Sequence, residues 1–322
     1  MRTVSRWLVV MEFSELQPAS TRNIMRFGLC CLFVAEKISF RATTAKVLGA
    51  MDRKAALAKV SGICLHNADN LLLAVRAVQR LGIGAFRITS PLFPRMTHPE
   101  VGYALEDLPQ AETIAARMSA VRTFAQEHDI RLSFHPDQFV VLSSPHAHVV
   151  ENSVRELEYH ALLAEMVGAD VLNIHGGGVY GDKPAALARF AEAFTRLPEN
   201  VASRLSVEND DVSYTVADLL PLCTRLGLPL VYDAHHHRCN PDGLGVCEAT
   251  DLAMATWRGR EPYCHISSPR EGWNANQRPH ADYIDPADIP QCWHGRAMTV
   301  DVEAKAKELA VVRLMQDLNV HE

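Results

Sequence analysis

A chain of 322 residues with 48% hydrophobic and 22% charged side chains has an ordinary globular balance, which excludes a disordered tail protein, a coiled coil and a small disulfide knot. Its 32 Lys and Arg against 38 Asp and Glu leave a formal charge of −6, so charge alone argues against a histone-like binder of nucleic acid. The count that stands out is histidine, 15 against 11 Phe and 7 Tyr.

The N-terminus carries Arg2 and Arg6 before an apolar stretch from Trp7 to Met11. Glu12 interrupts the stretch and no small-residue cleavage site follows, so it does not read as a secretory signal. Residues 1–24 differ from the rest and are expected to form an extension, with Met25 a candidate start of one domain over 25–322. The 8 cysteines form no C-x-x-C pair, which reads as reduced cytosolic thiols rather than a secreted framework or a cysteine-type zinc site. No apolar run reaches about 18 residues, so no membrane span is expected and the cytoplasm is the expected location.

Strand candidates follow in chain order at 26–31, 84–89, 131–135, 170–175, 204–208, 229–233, 262–266 and 298–303. Most are rich in Val, Ile, Leu or Phe, as buried parallel strands are. Helical patterns fill the gaps at 67–82, 112–128, 149–167, 185–196, 215–226, 247–256 and 303–317. In 149–167, Val150, Val154, Leu157, Ala161 and Leu162 share one side, with Glu151, Arg155 and Glu156 elsewhere. Asp285 before Pro286 reads as a cap and first helical position.

Strands alternating with helices give either a closed (β/α)8 barrel or a doubly wound open sheet. No G-x-G-x-x-G follows the first strand, which weakens the dinucleotide-binding version of the open sheet. Gly176-Gly177-Gly178 follows the fourth strand and lacks the P-loop lysine; it reads as a tight turn bringing backbone near a ligand. No repeat or linker divides the chain. The expectation is a single-domain (β/α)8 TIM-type barrel with its site at the C-terminal mouth of the strands.

Ionisable residues mark those strand ends. His135, His175, Glu208, Asp233, His265 and Glu303 lie at or near the ends of strands three to eight, one per strand. His98 lies in the loop after the second strand, His236 three residues past Asp233, and His280 beyond the seventh strand. A single buried His at a strand end is usually a hydrogen-bonded core residue. Six ionisable groups in register are not, because unpaired buried polar groups cost about 1–3 kcal/mol each. Imidazoles with carboxylates suit Zn²⁺, Mn²⁺ or Fe²⁺. Nine donors exceed the four or so that one zinc-like ion takes, so two or three ions bridged by carboxylates are expected. Metal pairs at about 3.5–4 Å are the apparatus of phosphodiester hydrolysis.

Several motifs now add up. They are RLSFHPDQF from Arg131 to Phe139, NIHGG from Asn173 with YGDK ending at Lys183, VENDD from Val207, DAHHHRCNP from Asp233, HISSP from His265 and VEAK from Val302. In this order, and over residues 26–317, the chain resembles the UV damage endonuclease family. The resemblance implies a TIM-type barrel with a trinuclear centre, commonly manganese, and incision of double-stranded DNA immediately 5′ to UV photoproducts, with abasic sites among other lesions. It also implies that the nine donors above are the metal ligands. Glu208, Asp233 and Glu303 are then the catalytic carboxylates, with Glu208 or Asp233 orienting an attacking water. The chain is expected to act as a monomer.

Two positions depart from the family pattern. Where members often carry a lysine that bridges metals as a carbamate, this chain has Tyr263, on the same strand face as His265. Where members carry an apolar residue two before the eighth-strand Glu, it has Asp301. Asp301 either supplies the missing carboxylate as a further metal ligand or only hydrogen-bonds Tyr263. The resemblance implies that Gln138 and Phe139 wedge into the duplex at a lesion, where unstacking is cheaper; the alternative is that Phe139 packs beneath its loop. Lys183 either contacts a phosphate or is a solvated helix-start charge. Arg87, a charge in a strand, needs a carboxylate among the ligands or a phosphate. The competing readings are a barrel sugar isomerase, where the Gln138-Phe139 loop has no evident role, and a non-catalytic damage-binding protein.

Overall fold

The computed structural model describes residues 25–319; the extension expected over 1–24 lies outside them. Eight short runs of branched and aromatic side chains pair in parallel as β1 (Met25–Cys30), β2 (Ala85–Ile88), β3 (Arg131–Phe134), β4 (Val171–His175), β5 (Leu205–Glu208), β6 (Leu230–Asp233), β7 (Tyr263–Ile266) and β8 (Met298–Val302). Each strand pairs with the next, and β8 pairs with β1 to close the barrel. The expected TIM-type architecture is therefore the observed one, and closure leaves no free sheet edge.

The helices are α1 (Ala45–Gly49), α2 (Arg53–Arg80), α3 (Ala111–Glu127), α4 (Ala147–Val167), α5 (Lys183–Phe194), α6 (Glu199–Ala202), α7 (Val216–Leu226), α8 (Ala234–Cys239), α9 (Val246–Ala255) and α10 (Glu308–Asp317). Five of the expected helices match to within about two residues. The first and last differ. α2 begins 14 residues before the expected position 67, at a cap where the Asp52 carboxylate accepts the Ala55 N–H. It runs through Ser61, whose hydroxyl bonds Gln110 at the start of α3. α10 begins five residues after the expected 303, because the Glu303 N–H still donates to Ile266 of the barrel, and Lys307 then takes a left-handed φ of 51°. Asp285 caps a single 3-10 turn at Pro286–Asp288, as expected.

Leu29, Phe86, Phe134, Ile174, Leu205 and Val300 are among the fully buried core side chains, each contributing about 1.5–3 kcal/mol on burial. Beneath the barrel, Arg26 pairs with Glu261 and Asp129, and Arg131 pairs with Asp170 while covering the Tyr263 ring. Apolar walls and this ion-paired floor hold the strand ends of the opposite rim in place. The glycine turn after β4 is as tight as expected: Gly177 has φ 84°, and a Cβ there would meet Val141 at 2.6 Å. Among the described residues no helix is long and apolar enough to cross a membrane.

Candidate metal centre

Parallel pairing sets the strand-end groups side by side. His175 is in register with Glu208, Asp233 with His265, and His265 with Asp301. Residues two apart on a strand share a face, so neighbouring strands bring their inward side chains to common levels.

Glu208 lies at the middle of the upper level. Its Oε1 is 3.1 Å from His265 Nδ1 and 3.2 Å from His236 Nδ1, and its Oε2 is 3.1 Å from His135 Nε2. Asp233 Oδ2 is 3.4 Å from His236 Nδ1, and Asp233 also caps α8, its Oδ1 accepting the His236 N–H at 2.7 Å. Glu303 reaches His265 at 3.5 Å and His280 at 3.7 Å. The His135 and His175 rings lie 5.0 Å apart. Two sets of three, His135 with His175 and Glu208, and Glu208 with Asp233 and His236, each place ligand atoms within 4.8 Å of one another. Glu208 belongs to both, the arrangement of a bridging carboxylate. Above them opens a cavity of about 440 Å³ lined by Arg87, His135, Gln138, His175, Glu208 and Glu303, among others.

A buried group of carboxylates needs positive charge. Burial pushes Glu208 toward its neutral form, yet the His265 and His175 rings hold it well below the ordinary carboxylate range. Burial likewise opposes ionisation of Glu303, and Arg87 and His265 hold it low. His265 rises to about 9 against the effect of its own burial, because Glu208 and Glu303 stabilise the charged ring. Protons thus gather where divalent cations fit. His175 Nδ1, Asp233 Oδ2 and His265 Nδ1 are buried without hydrogen-bond partners, and imidazole and carboxylate lone pairs of this kind are the donor set of Zn²⁺, Mn²⁺ or Fe²⁺.

The cluster brings together eight of the nine expected ligands. His98 stands apart: its Nδ1 accepts the N–H groups of Glu100 and Val101, and it lines a neighbouring cavity of about 720 Å³ with Phe139 and His160. Tyr263 donates to Asp301 Oδ1 at 2.9 Å and contacts Ser133 Oγ at 2.9 Å, so its hydroxyl sits in the barrel interior below His265. Asp301 belongs to neither ligand set. Arg87 finds the carboxylate it needs in Glu303, at 2.6 Å. Gln138 lines the mouth, while Phe139 is 77% exposed on a loop turned by the Asp137 carboxylate, and does not pack beneath it. Lys183, the first residue of α5, donates to Asp218 at 2.6 Å.

The buried polar level of Tyr263 and Asp301 extends to Ser133, Asn173 and Ser206, which were not foreseen. Asn173 donates to Glu208 Oε2 and accepts from Ser206, and Ser133 meets Tyr263. The signal was periodic: Ser133, Asn173, Ser206, Tyr263 and Asp301 each stand two residues before a strand-end ligand. Asn209 was missed as well. Its amide brackets the Asp233 backbone, donating to the carbonyl at 2.9 Å and accepting the N–H at 3.0 Å.

The sequence pattern described as UV-endonuclease UvdE matches residues 25–322. The UV DNA damage endonuclease of Bacillus velezensis is 34% identical over 283 residues, 84% of this chain and 85% of that protein. The crystal structure of SacUVDE superposes with a TM-score of 0.80 at 28% identity, covering 92% of this chain and 99% of that one. Endonuclease IV from Thermus thermophilus shares the fold, with a TM-score of 0.58 at 16% identity over 92% of this chain and 100% of that one.

Proposed function

The chain belongs to the UV-endonuclease UvdE family, and from that premise we propose that it is a DNA-repair endonuclease that hydrolyses the phosphodiester 5′ to UV photoproducts, and to other lesions such as abasic sites. The observation that carries this reading is the membership of Glu208 in two sets of three ligand atoms at the barrel mouth. Divalent cations, with Mn²⁺ our first choice over Zn²⁺ or Fe²⁺, supply a water of lowered pKa and positive charge against the phosphate oxygens when bound. His135, His175 and Glu208 would hold one ion, and Glu208, Asp233 and His236 another, with His265, His280 and Glu303 around them. Glu208 stays ionised despite burial, so with Asp233 it can orient a water by accepting its hydrogen bonds.

The loop of Gln138 and Phe139 opens the duplex. An aromatic ring 77% exposed beside the mouth gives up little on leaving water for a base step, and a lesion already stacks poorly. This loop favours a nucleic-acid substrate over a sugar. We place the enzyme, a monomer, in the cytoplasm.

Irradiated and unirradiated supercoiled plasmids incubated with Mn²⁺-loaded protein test the reading. Nicking of the irradiated DNA alone is expected, abolished by chelator and by Glu208→Gln or Glu303→Gln in folded protein. Equal nicking of both plasmids would leave a general nuclease, and nicking of neither would leave a non-catalytic binder or a sugar enzyme.

A further inference from the structure

The inward residues beneath the mouth hold an arrangement that the ligand sets do not use. His265 is buried, and its two nitrogens face opposite ways. Nδ1 faces the mouth, 3.1 Å from Glu208 and 3.5 Å from Glu303. Nε2 faces the interior, 3.9 Å from Asp301 Oδ2. Asp301 is fully buried. Its Oδ1 accepts the Tyr263 hydroxyl at 2.9 Å, while Oδ2 lies 3.7 Å from Arg87 Nε. His265 Nε2, Asp301 Oδ2 and Arg87 Nε are all buried without hydrogen-bond partners.

Three orphaned polar atoms converging on one point do not arise for packing. Each left unpaired bears its full desolvation penalty, and shifts of under about 1 Å would let them satisfy one another at ordinary hydrogen-bond distances. The barrel also makes room for this carboxylate. Gly28 of β1 is in register with Asp301, and a Cβ there would come within 2.2 Å of Asp301 Oδ1.

We propose that Asp301 is a positioning residue for His265: it accepts the Nε2–H, fixes that tautomer and turns the Nδ1 lone pair toward the metal ions. Metal-bound imidazoles commonly donate their second N–H to a carboxylate in this way, which sets ring orientation and raises basicity. The role differs from the further ligand expected of Asp301, because its carboxylate lies at the Nε2 edge of His265, away from the Nδ1 edge that meets Glu208. Tyr263 serves the same device by holding Oδ1, and is itself held by Ser133. The chain thus has a Ser133–Tyr263–Asp301–His265 relay acting through the histidine. The inference rests on the metal reading of the mouth proposed above.

Asp301→Asn tests it. Asparagine keeps the shape and can still accept from Tyr263 with its carbonyl oxygen, but it presents N–H to Nε2 and so favours the wrong tautomer. Metal-stripped protein titrated with Mn²⁺, with the free ion followed by electron paramagnetic resonance, is expected to bind about 10–100-fold more weakly, with unchanged stoichiometry at saturation and an unchanged circular dichroism spectrum. Tyr263→Phe is expected to weaken binding by a smaller factor. Unchanged affinity in Asp301→Asn would overturn the proposal, and so would loss of one equivalent of ion at saturation, which would make Asp301 a ligand. Should the variant misfold, the wild-type chain decides. Histidine-selective ¹⁵N spectra of the Zn²⁺-loaded protein should show His265 as the Nε2–H tautomer, and the Nδ1–H tautomer would overturn the assignment. A wild-type chain that binds neither ion would instead remove the metal reading itself.

Discussion

Phe139 is the residue whose exposure most needs a reason. A phenylalanine 77% exposed adds little to folding, and substitutions at such positions usually change stability by no more than about 0.5 kcal/mol. Base–aromatic stacking is worth about 1–3 kcal/mol, so Phe139→Ala should leave the melting temperature within error. It should lower nicking of irradiated plasmid by about tenfold, with Phe139→Trp restoring it. Equal activity of Phe139→Ala and wild type would remove the wedge role. At this scale the sequence was informative where chemistry repeats with the strands. His135, His175, Glu208, Asp233, His265 and Glu303 could be read because each lies at or near the end of a short apolar run. His98 could not be placed, because a loop residue carries no periodicity, and its ring nitrogen is satisfied by local backbone. Asn173, Ser206 and Ser133 were missed because short polar residues inside a strand look like pattern noise until their partners across the barrel are known.

At the scale of elements, α4 was legible for the same reason that it is stable: 21 residues show a continuous apolar face. α8 was not, since its six residues are too few for a period. It exists because Asp233 both ends β6 and caps the following turn. α4 carries a buried titratable group outside the mouth. His160 donates its Nδ1–H to the Glu156 carbonyl at 2.7 Å, packs against Phe134 and Tyr159, and leaves Nε2 without a partner. Burial lowers its pKa to about 4, a little offset by the Glu156 bond. The unfolded chain takes up this proton near pH 6.5, the folded one only near 4. Stability from the neutral ring is therefore full above about pH 6.5 and declines as the pH falls toward 4, by up to about 3 kcal/mol. The metal-free His160→Leu variant, melted between pH 4 and 7, should lose less stability on acidification than metal-free wild type. Parallel curves for the two proteins would show that His160 does not titrate in this range.

At the scale of the whole molecule, barrel closure was legible because eight strand–helix units leave few topologies, but the room it keeps for a buried carboxylate was not. Gly28 is one residue among 17 glycines, and only the register with Asp301 shows why a side chain there would collide. The charge of −6 is also a whole-molecule property, and it first argued against DNA. Three divalent ions would add six positive charges and bring the formal total to zero. Bound ions are often the largest local charges in a site, so attraction for phosphate can be confined to the mouth of an acidic protein. A consequence distinguishes this chain from basic DNA binders. Those release counterions from each phosphate they neutralise, with a log–log salt slope of about −0.9 per contact. Among the described residues lining the mouth, Arg87 is the one Lys or Arg, so the slope for an irradiated duplex should be shallow, about −2 to −4, corresponding to a few phosphates. Chelation should weaken binding at least about tenfold, on the scale of one lost charge-assisted contact. Fluorescence anisotropy on a duplex made resistant to cleavage by a phosphorothioate 5′ to the lesion measures both. Binding that survives chelation unchanged, with a steep slope, would mean that a basic surface rather than the metal-filled mouth holds the DNA.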